Sequence, residues 1–428
     1  MNGRVKREDW GRTSGESGFQ ASIAEWRKAW RGWKGSRGGL GWLTGIYGVL
    51  ALVGMVALEY WAERLWVFSL LLFAPPLVML IPLLPLMVMT VMSSGMRLVT
   101  RHRVNLYRVG LVMFLLVFSG LFFAPRLVMF SLLVALLVVS FVMRPRLALC
   151  QLGVVLVLVF WYMNFEWSKT VAKGEGQLTA VTFNVGQSNR PQFEAFLEAE
   201  KPEVILLQDT TKTYATLLAK KMRGTVVAAD GEFAMVSRFP VRDARILAEP
   251  TWAGRPVGMR FEVLVNDRPL VFYSIHMPTP RNELSRFIGF RGILRDFVGR
   301  PHREPGFGNY REWMAKRVEL AKTVRKILAE EKSPCIVGGD FNMPDHGLIY
   351  HLFASELSDA FKDAGCGWGL TFPGSTRNPL AGFGPWLRLD YFFTGRGWRA
   401  VECRPEAGTK SQHKAVMARF QPMKENGE

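Results

Sequence analysis

Two patterns of hydrophobic and polar residues divide the chain near residue 165. Before this point almost every position from 40 onwards is apolar, whereas after it charged residues return and short apolar segments alternate with polar ones. A helix needs about 20 apolar residues to cross the hydrocarbon core of a bilayer. The pattern therefore predicts an all-α transmembrane region followed by a water-soluble domain. The apolar runs cover residues 40–60, 65–93, 107–124, 127–143 and 147–164.

This division predicts five segments. The first has a high density of Arg, Lys and Trp, and it is too long and polar before its first apolar run to be a cleavable signal peptide. The predicted segments are a basic cytoplasmic tail (1–39), a transmembrane helical region of three to five spans (40–164), a linker (165–176), a water-soluble domain (177–421) and a C-terminal tail (422–428).

The positive charges indicate how the membrane region is oriented. If all five runs cross, the tail and the Arg-rich loops at 97–108 and 144–146 share one side, which the positive-inside rule identifies as cytoplasmic. Two short spans around Arg126 can instead form a re-entrant hairpin, which leaves three crossings. Either odd number places the soluble domain outside the cytoplasm, whereas four crossings would reverse it. No run carries a mid-span charge, which disfavours a channel or transporter.

In the soluble part, short segments rich in β-branched residues predict strands. Helical spacing of apolar residues predicts helices over 190–201 and 311–332, each leading into a strand. The predicted strands lie in "LTAVTFNVGQ" (178–187), "EVILLQDT" (203–210), "FAMVSRFPV" (233–241), "RFEVLV" (260–265), "RPLVFYSIHMP" (268–278), "PCIVGGDFN" (334–342), "RLDYFFTG" (388–395) and "SQHKAVMARF" (411–420).

Polar residues stand at or near the ends of these apolar strands. Asp340 and Asn342 are two positions apart, so on an extended segment they point to the same side. One such residue is usually a turn or helix cap, but seven on six segments predict one convergent site for a water, a metal or a phosphate. The seven are Asn184, Asp209, His276, Asp340, Asn342, Asp390 and His413.

The order of several short motifs resembles that of the endonuclease/exonuclease/phosphatase superfamily. These motifs are "TFNV", "PEVILLQD", "YSIH", "GGDFNMP", "RLDYFF" and "SQHKAV". The resemblance covers residues 177–421, and the set is far more specific than "GDFN" alone. It implies an α/β (α+β) four-layer sandwich of two mixed β-sheets with outer helices, preceded here by the all-α transmembrane region. It also implies a site at the rim where strand ends converge.

The resemblance assigns roles to the strand-end residues. His413 matches the catalytic histidine that contacts the scissile phosphate, and Asp390 the carboxylate that orients it. Asp340 matches the carboxylate that orients the attacking water. Asn184 and Asn342 match residues that bind phosphate or position the nucleophile, and His276 resembles a second histidine that many members have.

Two positions depart from the family pattern at the expected metal. Asp209 stands where the family usually has a metal-binding Glu, and Gln412 where it usually has an Asp. Hard oxygen ligands favour Mg²⁺ or Mn²⁺, so either ion is the implied cofactor. One fewer negative charge and a shorter side chain predict weaker metal affinity, and they leave open a catalytically weak or inactive domain that only binds a phospholigand.

Net charge does not select the substrate. Of the formal +18, residues 1–164 carry 17 Lys and Arg against 6 Asp and Glu, a net of +11, which leaves +7 for the soluble part. This excess suits a polyanion, an anionic lipid surface or ordinary solubility. The expected partners are therefore the lipid bilayer and a phosphoester: a phospholipid headgroup, extracytoplasmic DNA or RNA, or a small phosphoester.

Two further features leave alternatives open. A segment rich in Arg and aromatics, which contains Arg281, Arg286 and Arg291, is either a substrate-binding loop or a solvated surface loop. Cys366 and Cys403 can pair if the domain is extracytoplasmic. The sequence identifies no protein partner and no oligomeric state.

Overall fold

The computed structural model describes most of the chain outside its N-terminal tail. Residues 281–309, which include the Arg-rich loop, and residues 107–124, one of the predicted spans, lie outside the described part, as do most of the predicted tails and linker. The described residues are 39–75, 79–80, 82–99, 126–167, 177–186, 190–222, 226–280, 310–374, 384–408 and 411–423.

The N-terminal part is helical. Apolar side chains from its helices pack into one cluster that includes Met55, Leu84, Leu133 and Leu158. The predicted run 65–93 is divided into two helices, with Pro75 and Pro82 in the stretch between them, because proline lacks the N–H that helix continuation needs. The helices are α1 (Gly39–Trp61), α2 (Trp66–Phe73), α3 (Leu83–Val99), α4 (Arg126–Met143) and α5 (Pro145–Val157), the last continued by a π-helical turn (Leu158–Tyr162).

Two of these helices are long and apolar enough to cross a membrane. They span Leu40–Trp61 and Pro145–Tyr162, and only 22% and 28% of their residues are buried within the protein. Shorter apolar helices cover Leu83–Met92 and Leu133–Val142.

The soluble part contains two six-stranded sheets. In the first, the strand order is β13-β14-β1-β2-β4-β3, and in the second it is β11-β12-β10-β9-β8-β5. Each sheet is mixed, since β1 is parallel to β2 and β9 is parallel to β10 while the other pairings are antiparallel. The strands are β1 (Leu178–Asn184), β2 (Val204–Gln208), β3 (Val226–Asp230), β4 (Phe233–Ser237), β5 (Val241–Ile246), β6 (Thr251–Trp252), β7 (Arg255–Pro256), β8 (Gly258–Val265), β9 (Arg268–His276), β10 (Cys335–Asp340), β11 (Ser358–Asp359), β12 (Asp390–Thr394), β13 (Trp398–Pro405) and β14 (Val416–Pro422).

The sheets face each other, and helices cover their outer surfaces. These outer helices are α6 (Arg190–Glu200), α7 (Lys212–Lys221), α8 (Tyr310–Glu330) and α9 (Leu348–Ala354), whereas the short α10 (Ala360–Ala364) packs against the cluster between the sheets. Leu206 and Phe392 lie in the core between the sheets, whereas Leu207 packs under α6 and α7. Phe393 packs under α8 and α9. Because successive strand residues face opposite ways, strands covered on both sides become continuous apolar runs. The predicted four-layer α/β sandwich is confirmed.

Cys366 is exposed and Cys403 is buried, and both are free thiols, as are Cys150 and Cys335.

Candidate active site

Strand register brings the polar strand ends to one rim. Asp340, the last residue of β10, lies opposite His276 of parallel β9 and opposite Asp390 of antiparallel β12. Asn184 ends β1 in the facing sheet, next to Gln208 of β2. The carboxyl ends of the parallel strands in both sheets therefore meet at the same end of the sandwich.

A glycine makes this register possible. Gly339 has φ +150°, and a Cβ added there would collide with the backbone of Ile275 in β9. Only glycine tolerates both this backbone angle and this approach. The glycine before Asp340 thus lets β10 lie against β9 and holds Asp340 beside His276.

One oxygen of Asp340 is the centre of the site. The carboxylate is 1% exposed, and its Oδ2 accepts hydrogen bonds from Nδ2 of Asn184 at 2.8 Å and from Nδ2 of Asn342 at 3.1 Å. Nε2 of His276 lies 3.8 Å away and Nε2 of His413 lies 3.7 Å away. Five of the seven predicted strand-end residues are thereby brought together around a single atom.

His413 is oriented from behind by Asp390. Nδ1 of His413 lies 3.0 Å from Oδ2 and 3.2 Å from Oδ1 of Asp390, so its Nε2 is directed towards Asp340. Phe372 packs against the imidazole, with ring centroids 4.8 Å apart. Burial raises the pKa of Asp390, and the charge of Asp340 adds to this effect while His413 opposes it. Asp390 brings the sixth predicted residue into the site.

His276 has a carboxylate partner that the sequence did not reveal. Nδ1 of His276 lies 2.8 Å from Oε1 of Glu232. Burial opposes the charged imidazolium, but the hydrogen bond with Glu232 and the nearby charges of Asp340, Glu232 and Asp209 raise the pKa of His276. Glu232 follows Gly231 in the turn between β3 and β4, where an acidic residue resembles any other solvated turn residue. Only the three-dimensional pairing identifies it.

Arg317 supports the segment after Asp340, and the prediction also missed it. The side chain is almost fully buried; its Nη2 donates to the carbonyl oxygen of Asn342 at 2.6 Å and its Nε to that of Pro278 at 3.1 Å. Asn342 has φ +48°, a left-handed conformation that asparagine tolerates better than most residues with a side chain. Arg317 occurs in helical register with the buried Trp313 and Ala321, and an arginine on an apolar helix face was the available signal.

Asn184 and Asp209 contribute oxygen atoms beside this centre. A Cβ added at Gly186 would collide with Oδ2 of Asp209 and would lie 3.1 Å from Oδ1 of Asn184, so both oxygens border the same space. Asp209 is exposed and has φ +48°. Gln208 before it is buried and donates from Nε2 to Ser274 at 2.8 Å across the two sheets, which fixes the end of β2.

Gln412 is buried immediately before His413. Its backbone oxygen accepts a hydrogen bond from the N–H of Gly374 at 2.6 Å. This bond ties the segment that carries His413 to the segment that carries Phe372. The metal-binding roles of Gln412 and Asp209 stay predictions.

The donor set fits a hard divalent cation. Ligand atoms of Asp340, Asp390 and His413 all lie within 4.8 Å of one another, and oxygens of Asn184 and Asp209 lie beside them. Carboxylate and amide oxygens suit Mg²⁺ or Mn²⁺, and one or two carboxylates suffice when water completes the shell. The clustering of buried carboxylates also favours a cation electrostatically.

Comparison with protein-family models identifies a family for most of the sandwich domain. The model of the "Endonuclease/Exonuclease/phosphatase family" matches residues 181–413. Solved structures similar to this chain include humanized D. rerio TDP2 (16% identity, 57% of this chain and 99% of that chain, TM-score 0.40). Another is a mannosyl-6-phosphatase from Bacteroides thetaiotaomicron, with 15% identity and a TM-score of 0.38. A third is a Neisseria 3′ phosphatase bound to product DNA hairpin, with 16% identity and a TM-score of 0.38. Each of these two matches covers 57% of this chain and 99% of the other chain. A search of curated protein sequences found no match.

Proposed function

Since the chain belongs to the endonuclease/exonuclease/phosphatase family, we propose that it is a membrane-anchored phosphoesterase that depends on a divalent metal. The reaction is hydrolysis of a phosphodiester or phosphomonoester by attack of water on phosphorus. The observation that carries the proposal is the convergence of His276, His413, Asn184 and Asn342 on Oδ2 of Asp340. Such a cluster combines a proton acceptor for water with donors for phosphoryl oxygens.

The side chains have different roles in the reaction, which follow from their protonation and orientation. Asp340 accepts a hydrogen bond from the attacking water and directs its lone pair. His413, with Nδ1 held by Asp390, presents Nε2–H to a phosphoryl oxygen and stabilises the charge that develops there. The amide groups of Asn184 and Asn342 fix Asp340. The second N–H of Asn342 donates to the carbonyl oxygen of Met277 at 2.9 Å, which leaves the second N–H of Asn184 to donate to the phosphate.

Asp209 is the residue expected to hold the metal, with Asn184 beside it and Gln412 near His413. A bound Mg²⁺ or Mn²⁺ supplies Lewis-acid stabilisation of phosphoryl and leaving-group oxygens. A carboxylate shorter than the family's Glu and the neutral Gln412 predict weak metal binding rather than a lost site. The competing reading is a catalytically weak or inactive domain that binds a phospholigand without turnover.

The apolar surfaces of α1 and α5 support a membrane anchor. Large side chains along α1 face outward from the protein, with Val49, Leu50 and Val53 about 60% exposed. An exposed apolar surface of this size promotes aggregation in water, whereas lipid chains can cover it. With the distribution of Arg and Lys along the chain, we place the protein in the cell membrane as a multi-pass protein with an extracytoplasmic catalytic domain.

The site lies close to the helical part, which favours a substrate at the bilayer surface. Phe372, which packs on His413, also packs with Phe73 of α2 against the cluster of Trp386, Leu387 and Leu389. Nε1 of Trp386 donates to the carbonyl of Phe73 at 3.3 Å. A phospholipid headgroup is therefore the first substrate to test. A nuclease acting on extracytoplasmic DNA or RNA is the second, because the soluble part carries a net charge of +7.

The proposal is tested with the full chain in detergent micelles, assayed with Mg²⁺ or Mn²⁺ against phospholipids, single-stranded and duplex DNA, RNA and simple phosphoesters. We expect turnover that a chelator abolishes, that added metal restores and that His413→Ala abolishes. Turnover that is unchanged in His413→Ala would refute the assignment. Metal-dependent phospholigand binding without turnover would favour the binding-only alternative.

A further inference from the structure

The segment that follows β10 runs from the catalytic centre to the ends of the membrane helices. We define the catalytic loop as residues 341–349, which begin beside Asp340, include Asn342 and end in the first turn of α9. The loop residues are not paired in a β-sheet, so their backbone N–H and C=O groups need other hydrogen-bond partners. Many of these come from the N-terminal helical part.

Glu63, two residues beyond α1, holds the far end of the catalytic loop. Its carboxylate is 5% exposed and accepts the N–H of Leu348 at 3.0 Å and the N–H of Ile349 at 3.1 Å. Gly347 has φ +89°, and a Cβ added there would lie 2.5 Å from Oε1 of Glu63. Glycine at 347 thus permits both the backbone angle and the close approach of the carboxylate.

Three further residues from the helical part hold the middle of the loop. Oε1 of Glu59 lies 2.6 Å from Nδ1 of His346, and Nε2 of the same ring lies 2.6 Å from the carbonyl oxygen of Tyr162. Asn164 donates from Nδ2 to the backbone oxygen of Asp345 at 3.2 Å and to its carboxylate at 3.1 Å. Residues at the ends of both long apolar helices therefore contact consecutive positions of the loop.

The near end of the loop is held from within the soluble domain. Arg317 donates to the carbonyl oxygens of Phe341 and Asn342, and the hydroxyl of Tyr391 donates to that of Met343 at 2.9 Å. Arg317 and Glu63, both buried, thus hold the loop that places Asn342, one at each end.

We propose that Glu63, with Glu59, is a positioning residue of the active site, so that the membrane part completes the catalytic loop instead of only tethering it. The inference rests on the proposed function for its catalytic consequence. Loss of Glu63 leaves the N–H groups of Leu348 and Ile349 without the carboxylate that accepts from them. The catalytic loop that carries Asn342 then loses one of the contacts that fix its position. A shift of about 1 Å in a catalytic group can lower turnover by about a hundredfold.

The experiment compares Glu63→Ala and Glu63→Gln with the matched control Arg64→Gln, all in the full chain in detergent micelles. Arg64 is the adjacent charged residue and is exposed. Gln keeps the shape of Glu but only one acceptor oxygen, so its effect is expected to lie between wild type and Ala. Hydrogen exchange measured by mass spectrometry reports the loop directly, and steady-state kinetics report its effect.

We expect exchange in peptides that cover 341–353 to accelerate at least about tenfold in Glu63→Ala and less in Glu63→Gln, while peptides from β1 and β14 keep wild-type rates. We expect kcat to fall by about tenfold to about a hundredfold with KM changed less than about twofold, and Arg64→Gln to match wild type. If Glu63→Ala does not fold, the isosteric Gln variant carries both measurements.

Three results would overturn the inference. They are unchanged exchange in 341–353, equal acceleration of β1 and β14 that indicates general destabilisation, and accelerated loop exchange with unchanged kcat. An inactive wild-type protein would refute the proposed function. The exchange rates would still show whether Glu63 holds the catalytic loop in place.

Discussion

Asp340 and Asp390 lie directly opposite each other on the antiparallel strands β10 and β12, and both carboxylates are buried. Two buried like charges at neighbouring positions repel unless cations or protons separate them. Here His413 contacts Asp390 and approaches Asp340, so the imidazole bridges the pair. The register of two strands thus brings two carboxylates together, and the positive charge of His413 and of the proposed metal would reduce their repulsion.

The first prediction separates activity from stability at Asp390. Asp390→Asn removes the charge that orients and stabilises protonated His413, so we expect kcat to fall about a hundredfold to about ten-thousandfold. The same change relieves repulsion with Asp340, so the thermal midpoint should stay at or above that of wild type. Kinetics and thermal unfolding of the full chain test both. The control is Asp267→Asn, in a turn with φ +63° that Asn also tolerates. A thermal midpoint that falls together with kcat in Asp390→Asn would contradict the orienting role.

The second prediction concerns Glu232. Glu232→Gln replaces the carboxylate beside His276 with a neutral amide, so the imidazolium loses its nearest partner while the shape is kept. We expect kcat to fall by roughly tenfold, less than for Asp390→Asn, because His276 lies on the other side of Asp340 from the Asp390–His413 pair. Asp230→Asn, at the end of β3 directly before the same turn, is the matched control. Equal activity of wild type and Glu232→Gln would contradict a role for the Glu232 carboxylate in supporting His276.

The sequence predicted the strand-end residues because their signal is local. A carboxylate or amide at the end of an apolar run is visible in "GGDFN" and "RLDYFF", and parallel strands place such ends at one rim. Glu232, Arg317 and Glu63 were missed for a physical reason, since each acts on a residue far along the chain. Their own neighbourhoods resemble a hairpin turn, a helix face and a helix end, and only the fold shows what they contact.

The third prediction tests a buried ion pair next to the catalytic loop. Arg388 donates from Nη1 and Nη2 to Asp359 at 2.9 and 2.7 Å, and the hydroxyl of Tyr350 donates to the same carboxylate at 2.8 Å. Breaking such a pair leaves an uncompensated buried charge, so we expect Arg388→Met to lower the free energy of unfolding by about 3–5 kcal/mol. Glu319→Gln, which removes an exposed pair with Lys322, should cost less than about 1 kcal/mol. Denaturant unfolding measures both.

Acid sensitivity gives the same ion pair an independent test. Burial alone would raise the pKa of Asp359, but the charge and hydrogen bonds of Arg388 and Tyr350 lower it overall. A carboxyl group whose pKa is lower in the folded protein stabilises the fold at a pH above its ordinary pKa of about 4. This stabilisation is lost as the pH falls through the folded-state pKa. Stability of the wild type should therefore decline below about pH 4, and Asp359→Asn should be less stable at neutral pH but show a flatter decline. Parallel curves for the two proteins would contradict the assignment.

The fourth prediction concerns the two positions that depart from the family pattern, and it measures metal affinity without turnover. Asp209→Glu lengthens the carboxylate and Gln412→Asp adds a negative charge near His413. Each change should tighten Mn²⁺ binding by about tenfold in isothermal titration of the chelator-treated full chain, whereas Asp209→Asn should weaken it similarly. Asp267→Asn controls for a general change in surface charge. If the metal lies at Asp209, the Glu and Asn variants must shift affinity in opposite directions, because one extends and the other removes the same ligand. Equal affinities in all four proteins would place the metal elsewhere, among Asp340, Asp390 and His413, and would leave Asp209 a turn residue at the end of β2.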